Sequence, residues 1–253
     1  MAEHFSDRTK MMLDESGYER LRGARVAVFG IGGVGGYAVE ALARAGVGSL
    51  DLIDSDRVSV SNINRQIIAT THTVGEYKTH AAKERIKSIN PDCSVTTHEV
   101  FFSEQALPLF DFSEYDYVVD AIDSVKSKVL LILAAKESGT KIISAMGAGN
   151  KLDPTRFRVT DISKTTVCPL AKAVRVALRK SGVNHLKVVY SDEPPVHSYT
   201  ELADGDRAEA SAASGSEKAA YDSRRAPGSI SFVPSVMGLI LAGEVIKDLA
   251  GVG

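Results

Sequence analysis

Residues Arg25–Gly36 read RVAVFGIGGVGG. Arg25–Phe29 is short, apolar after its first residue and β-branched, which predicts a strand. Glycines follow at Gly30, Gly32, Gly33, Gly35 and Gly36, and Ala38–Ala45 (AVEALARA) then reads as a helix closed by Gly46. Strand, glycine turn, helix is the setting that a phosphate-binding GxGxxG needs. Glycine lets the backbone approach a phosphate, and a helix N-terminus offers free N–H groups and the positive end of its dipole. Alone, the motif predicts a nucleotide without saying which.

The same alternation continues outward. Leu50–Ile53, Ser94–Glu99, Tyr117–Asp120 and Lys141–Ser144 read as strands, and Lys78–Ile89 and Val125–Lys136 as helices. Strands alternating with helices predict an α/β doubly wound, Rossmann-like and mostly parallel sheet with helices on both faces. Beyond Gly149 the pattern predicts a C-terminal extension of the sheet plus helices: strands at Phe157–Asp161 and Leu186–Tyr190, and helices at Leu170–Lys180 and Pro234–Leu249. We expect a single domain over 1–253, with a nucleotide-binding half at 1–150 and a substrate half at 151–253. Ala, Ser, Gly and charge dominate 201–225, so a mobile loop is expected over 197–226.

Composition narrows the class. The 253 residues are 44% hydrophobic and 25% charged, ordinary for a globular protein. A formal net charge of −2 excludes a uniformly basic nucleic-acid binder, so any such surface must be a local patch. The two cysteines, Cys93 and Cys168, exclude a disulfide scaffold or a CxxC zinc site and suit a reducing, cytoplasmic setting. The N-terminal MAEHFSDRTKMM lacks the apolar run of a leader peptide, and the apolar tract Val233–Val245 is too short and too polar to span a bilayer. No spacing of His4, His72, His80, His98, His185 and His197 suits zinc.

The chemistry lies at the strand ends. Asp54 ends the second strand, where an acid accepts from ribose hydroxyls, and to this point an NAD-dependent oxidoreductase fits. Asp56, then Asn62-Ile63-Asn64-Arg65-Gln66, and then Lys78 count against it. Hydride transfer needs no cations beside the phosphates. A reaction that builds charge on a triphosphate does: Arg and Lys stabilise the phosphorus centre and an Asp holds Mg²⁺. Asp120 and Asp123, after the fourth strand, can supply that carboxylate.

Together GIGGVGG, Asp54-x-Asp56, NINRQ (Asn62–Gln66), Lys78 and DAIDS (Asp120–Ser124) resemble the ubiquitin-activating-enzyme-like adenylyltransferase superfamily over about residues 5–150. Four later segments look like its tRNA threonylcarbamoyladenosine dehydratase branch: Thr160–Thr165, Val167–Leu170, Val189–Pro194 and Ala226–Pro234. The resemblance implies that ATP with Mg²⁺ adenylates the carboxylate of threonylcarbamoyladenosine next to the anticodon of tRNA. The carbamoyl nitrogen then displaces AMP and closes a ring, with net loss of water. It implies that Gly30, Gly32, Gly33, Gly35, Asp54, Asp56, Asn62, Arg65, Gln66, Lys78 and Asp123 bind ATP. Arg65, Lys78 and Asp123 would be catalytic, and Asp123 would hold the metal. It also implies a homodimer in which Arg8 reaches into the partner subunit's ATP site, and leaves room for a sulfur-relay protein as a further partner.

The alternative is an activator of the C-terminus of a ubiquitin-like sulfur-carrier protein. Such activators usually add two CxxC pairs and a transfer cysteine, and this chain has neither pair. A non-catalytic nucleotide-binding scaffold would not need Arg65, Lys78 and Asp123. Cys168 could take the acyl group from AMP, but closure onto an internal nitrogen does not require that, and we expect Cys168 and Cys93 to be structural.

Charge gives a separate argument for RNA. From Ile162 to Ser191 there are six cations and no Asp or Glu. Lys172, Arg175 and Arg179 fall on one helical face; with Lys164 and Lys180 they form the expected tRNA-binding patch.

Overall fold

The computed structural model describes residues 4–196 and 227–252. Its frame is a seven-stranded sheet in the order β3-β2-β1-β4-β5-β7-β6. The strands are β1 (Arg25–Phe29), β2 (Ser49–Ile53), β3 (Ser94–His98), β4 (Tyr117–Asp120), β5 (Lys141–Ala145), β6 (Phe157–Asp161) and β7 (Lys187–Ser191). β1 to β5 and β7 pair in parallel; β6 pairs antiparallel with β7 at the edge. Residues on both sides of position 150 thus share one sheet.

Helices cover both faces. α1 (Asp7–Gly23), α2 (Gly35–Ala45), α3 (Lys78–Ile89) and α6 (Phe232–Ala250) bury Leu21, Leu42, Ile86 and Leu241 on one side. α4 (Val125–Glu137) and α5 (Pro169–Lys180) bury Leu131, Ile132, Val174 and Leu178 on the other, beside the ring cluster Phe29, Phe102, Phe110 and Phe112. At ~1.5–3 kcal/mol for each fully buried large aliphatic side chain, these two layers drive the fold.

Local signals set the boundaries. Gly46 ends α2 in the left-handed region at φ 98°, its N–H bonding back to Ala43 at 3.2 Å. Asn90 stops α3, its N–H on the Ile86 carbonyl at 2.8 Å. Ser124 caps α4. Gly238 is required on α6, because a Cβ there would sit 2.3 Å from the Val34 carbonyl oxygen. That close crossing fixes the start of α6 over the start of α2.

The sequence did not announce α1. It is polar, is broken at Asp14 (φ 58°), and buries little beyond Leu13, Tyr18 and Leu21. α2 starts at Gly35, ahead of the apolar periodicity, because its first turn is built from glycine. The loop expected over 197–226 lies outside the described residues. No described helix is long and apolar enough to cross a membrane.

Candidate active site

The sheet order reverses between β1 and β4. In doubly wound folds the crevice outside the strand carboxyl ends at that point takes the ligand. A cleft of about 370 Å³ lies there, walled by the turns after β1, β2 and β4 and by Arg65, Gln66 and Lys78. Gly30, Gly32, Gly33, Asp54, Asp56, Asn62 and Asp123 line it too. Gly35 does not. Its part is steric: a Cβ there would be 1.8 Å from the Gly30 carbonyl oxygen.

The glycine turn is a cradle. Gly30 takes φ 89°, and a Cβ on it would meet the Ala121 carbonyl at 2.7 Å. The Ile31 N–H is spent on Asp54 Oδ2 at 2.7 Å, which holds the turn against β2. Among the described residues no acceptor takes the N–H of Gly32, Gly33 or Val34. Three unmet N–H groups at a helix start make an anion site.

Acids and cations face each other across the cleft. Lys78, the first residue of α3, is 6% exposed and donates from Nζ to Asp56 Oδ2 at 2.7 Å. Asp54 Oδ2 lies 3.8 Å away. These two carboxylates offset the cost of a cation at a helix start. Burial pushes the Asp54 carboxyl above its usual range, against the pull of Lys78 and two backbone N–H groups. Arg65 is half-buried and held locally, on the Ser61 carbonyl and Asn64 Oδ1, each at 2.9 Å. Asn62 Oδ1 accepts from the Ser59 N–H at 3.1 Å, so this side chain shapes the turn that presents Arg65. Gln66 is 6% exposed, and its Oε1 has no hydrogen-bond partner among the described residues. A buried, unmet amide in a cleft wall costs ~1–3 kcal/mol unless an incoming group pairs with it.

Asp123 is exposed in the cleft. Asp120, three residues earlier, is not on its wall: it is fully buried, with Lys128 Nζ at 2.8 Å. The donor set fits Mg²⁺, which takes one or two carboxylates plus substrate phosphates. Asp123 and Asp56 are hard oxygen donors, and no described His or Cys lines the cleft. Among the described residues no group of three or more His, Cys, Asp or Glu forms a metal cage by itself.

Arg8, Arg175 and Cys168 lie off the cleft wall. Arg8, exposed in the first turn of α1, does not line the cleft of its own chain. Arg175 departs from the expected basic stripe. It is half-buried, with its guanidinium on the Thr165 carbonyl at 2.9 Å and on Thr165 Oγ1, so it ties down a turn. Lys164, Lys172, Arg179 and Lys180 are exposed, and no described residue forms an ion pair with them. Cys168 is 2% exposed at the start of α5 and lies off the cleft wall. The apolar wall of Val100, Phe101 and Phe102 was missed: Phe101 is 61% exposed at the cleft, whereas Phe102 is core. Only its place just past the end of β3 could have signalled it.

The model of the ThiF family matches residues 7–253. The tRNA threonylcarbamoyladenosine dehydratase of Bacillus subtilis (strain 168) is 42% identical over 248 residues, covering 97% of this chain and 94% of that protein. The crystal structure of E. coli tRNA N6-threonylcarbamoyladenosine dehydratase, TcdA, in complex with ATP is similar at a TM-score of 0.82 and 32% identity, covering 97% of this chain and 93% of that one. An adenylyltransferase and sulfurtransferase UBA4 from Eremothecium gossypii is 38% identical over only 54% of this chain and 30% of its own length.

Proposed function

The chain belongs to the ThiF family, and from that premise we propose that it is an ATP-dependent tRNA threonylcarbamoyladenosine dehydratase. The observation that carries this reading is the cleft at the β1/β4 reversal. It joins three unmet backbone N–H groups, two cations and an exposed carboxylate within a chain similar over nearly its whole length to such enzymes.

The triphosphate lies against the Gly32–Val34 amides, with Lys78 and Arg65 on its oxygens. Asp54 and Asp56 take the ribose, and the exposed ring of Phe101 faces the base. Asp123 would hold Mg²⁺, which would neutralise phosphate charge as the phosphorus centre is attacked. The substrate carboxylate oxygen attacks the α-phosphorus and pyrophosphate leaves. The carbamoyl nitrogen of the same nucleoside then attacks the acyl carbonyl and loses its proton. AMP departs with the former carboxylate oxygen, and the ring closes. Arg65 and Lys78 stabilise charge that grows only in the transition state, and so act on the rate.

The exposed cations Lys164, Lys172, Arg179 and Lys180 take the tRNA backbone. The two halves of the chain work as one domain in the cytoplasm, where the substrate is found. The family resemblance supports a homodimer in which Arg8 serves the partner's cleft, and a sulfur-relay protein as a further partner.

Mass spectrometry of tRNA nucleosides after incubation with protein and ATP tests the reading. Loss of the mass of one water from threonylcarbamoyladenosine, with AMP formed, is expected. ATP–pyrophosphate exchange that answers to a sulfur-carrier protein and not to modified tRNA would replace it with the activator reading. That second reading is disfavoured by the lack of CxxC pairs.

A further inference from the structure

Lys128 is 0% exposed, one turn into α4, in a sequence that reads as an ordinary helix cation. Its three ammonium protons are all used: on Asp120 Oδ2 at 2.8 Å, the Ala145 carbonyl at 2.8 Å and Ser144 Oγ at 3.3 Å. Asp120 is equally buried and equally committed. Its Oδ2 also accepts from the Ser144 hydroxyl, and its Oδ1 accepts from the Ile122 N–H at 3.1 Å. The pair therefore joins four pieces of chain: the ends of β4 and β5, the start of α4, and the turn Ala121–Ser124.

Stability does not explain this arrangement. Two buried charges pay a desolvation penalty that their attraction barely returns, and an apolar pair of similar volume is often as stable or more so. What the pair does is hold a backbone. The Ala121 N–H is fixed on the Phe29 carbonyl at 2.8 Å, and the Lys128 N–H bonds the Ser124 carbonyl at 2.9 Å. With Ile122 pinned by Asp120, every neighbour of Asp123 is tied down while Asp123 itself projects into the cleft.

We propose that the buried Asp120–Lys128 pair, locked by Ser144, is a positioning device that aims the Asp123 carboxylate at the metal-bound phosphates. Asp120 and Lys128 touch neither nucleotide nor metal; they act through the turn above them. This rests on the reading of Asp123 as a Mg²⁺ ligand.

The test is the double variant Asp120→Asn/Lys128→Met, which removes both charges and strands neither. The asparagine carbonyl still accepts from Ile122, and methionine fills the lysine stem. Calorimetric titration of ATP with and without Mg²⁺, and Mn²⁺ binding in the presence of ATP followed by electron paramagnetic resonance, read the metal site apart from turnover. The melting temperature should stay at or above wild type, and metal-free ATP affinity should stay within about twofold. The gain in ATP affinity brought by Mg²⁺ should fall by about 10- to 100-fold, the range for losing an outer-shell partner. Adding Asp123→Asn to the double variant should cost little more, because both changes disable one group.

A double variant that keeps the full Mg²⁺ gain, while Asp123→Asn alone loses it, overturns the positioning role and leaves the Asp123 reading standing. If Asp123→Asn also keeps the gain, the Asp123 reading itself falls. Should the double variant fail to fold, Ser144→Ala removes one bond of the lock and leaves both charges in place. A smaller loss of the Mg²⁺ gain is then expected, and its absence in a folded Ser144→Ala protein overturns the proposal.

Discussion

Arg65→Ala separates chemistry from folding more sharply than any other change in the cleft. The side chain is half-buried and, among the described residues, bonds only within its own turn, to Ser61 and Asn64, both at 2.9 Å. Two local bonds near solvent contribute at most ~1 kcal/mol each. At ~2–4 °C per kcal/mol for a chain of this size, the melting temperature should fall by no more than about 4–8 °C. The catalytic loss should be larger, because a preorganised donor aimed at developing charge accounts for about 10²–10³ in rate, or ~2.7–4 kcal/mol. The assay is single-turnover AMP formation with modified tRNA, alongside ATP binding by calorimetry and a thermal melt. Formation of AMP should drop by that factor while ATP affinity drops far less. Arg65→Lys should recover part of the rate, since a point charge replaces a planar fork. Turnover within a factor of two of wild type would refute the role given to Arg65, as would a rate loss that merely tracks lost stability.

Asp123→Asn should raise the Mg²⁺ requirement more than it weakens metal-free ATP binding, because the amide keeps the shape and loses the charge that holds a hard cation; an unchanged Mg²⁺ titration would move the metal elsewhere. Lys172→Glu with Arg179→Glu should flatten the salt dependence of tRNA binding by about 0.7–0.9 per lost contact on a log–log plot and spare ATP binding. Arg175→Glu should instead lower the melting temperature, since that residue holds the 162–165 turn; the reverse pattern would restore Arg175 to the RNA face. Phe101→Ala should leave stability unchanged at a 61% exposed site and weaken ATP binding by about tenfold if the ring stacks on the base, at ~1–3 kcal/mol per stacked base. Cys168→Ser should retain cyclisation, because the acyl adenylate is already activated and the internal nitrogen can close the ring directly; pyrophosphate release without ring formation in the variant, together with a thiol-labile RNA adduct in wild type, would show that the thiol carries the acyl group.

The parts of the fold that were legible share a cause. RVAVF, YVVD and Lys78–Ile89 each carry a strong local period, and the tertiary structure agrees with it. The cleft residues were legible for a related reason: glycine, acid and cation motifs sit directly at strand ends, where doubly wound topology collects them. What escaped depends on contacts between distant segments. Periodicity puts Arg175 on the face of Lys172 and Arg179, but it cannot show that the Ile162 and Thr165 carbonyls point at its guanidinium. Lys128 reads as a solvent cation until β5 is laid beside α4. Phe101 and Phe102 are adjacent, chemically identical and both on the cleft wall, yet Phe102 is buried in the ring cluster and Phe101 is exposed; nothing in the local sequence separates them. The polar α1 lacks an apolar stripe wide enough to announce a helix.

The basic face and the cleft are connected by the direction of α5. That helix is preceded by its cap residue Cys168, whose sulfur lies 3.3 Å from where a Cβ on Gly147 would be, two residues past the carboxyl end of β5. It ends at Lys180, and the chain re-enters the sheet at Lys187, at the amino end of β7. α5 therefore starts on the rim that holds the cleft and descends the flank. Lys172 stands near the rim, and Arg179 and Lys180 are about 10–12 Å further down at ~1.5 Å per residue. Protein–RNA recognition favours unpaired loops whose bases can be turned outward while the backbone stays on a charged track. On the proposed reading, a line of cations leading down from the rim would hold the flanking backbone while one modified anticodon-loop nucleoside enters the cleft. On that reading, substitutions of the cations far from the cleft should change affinity and its salt dependence, whereas substitutions of Arg65, Lys78 and Asp123 should change the rate.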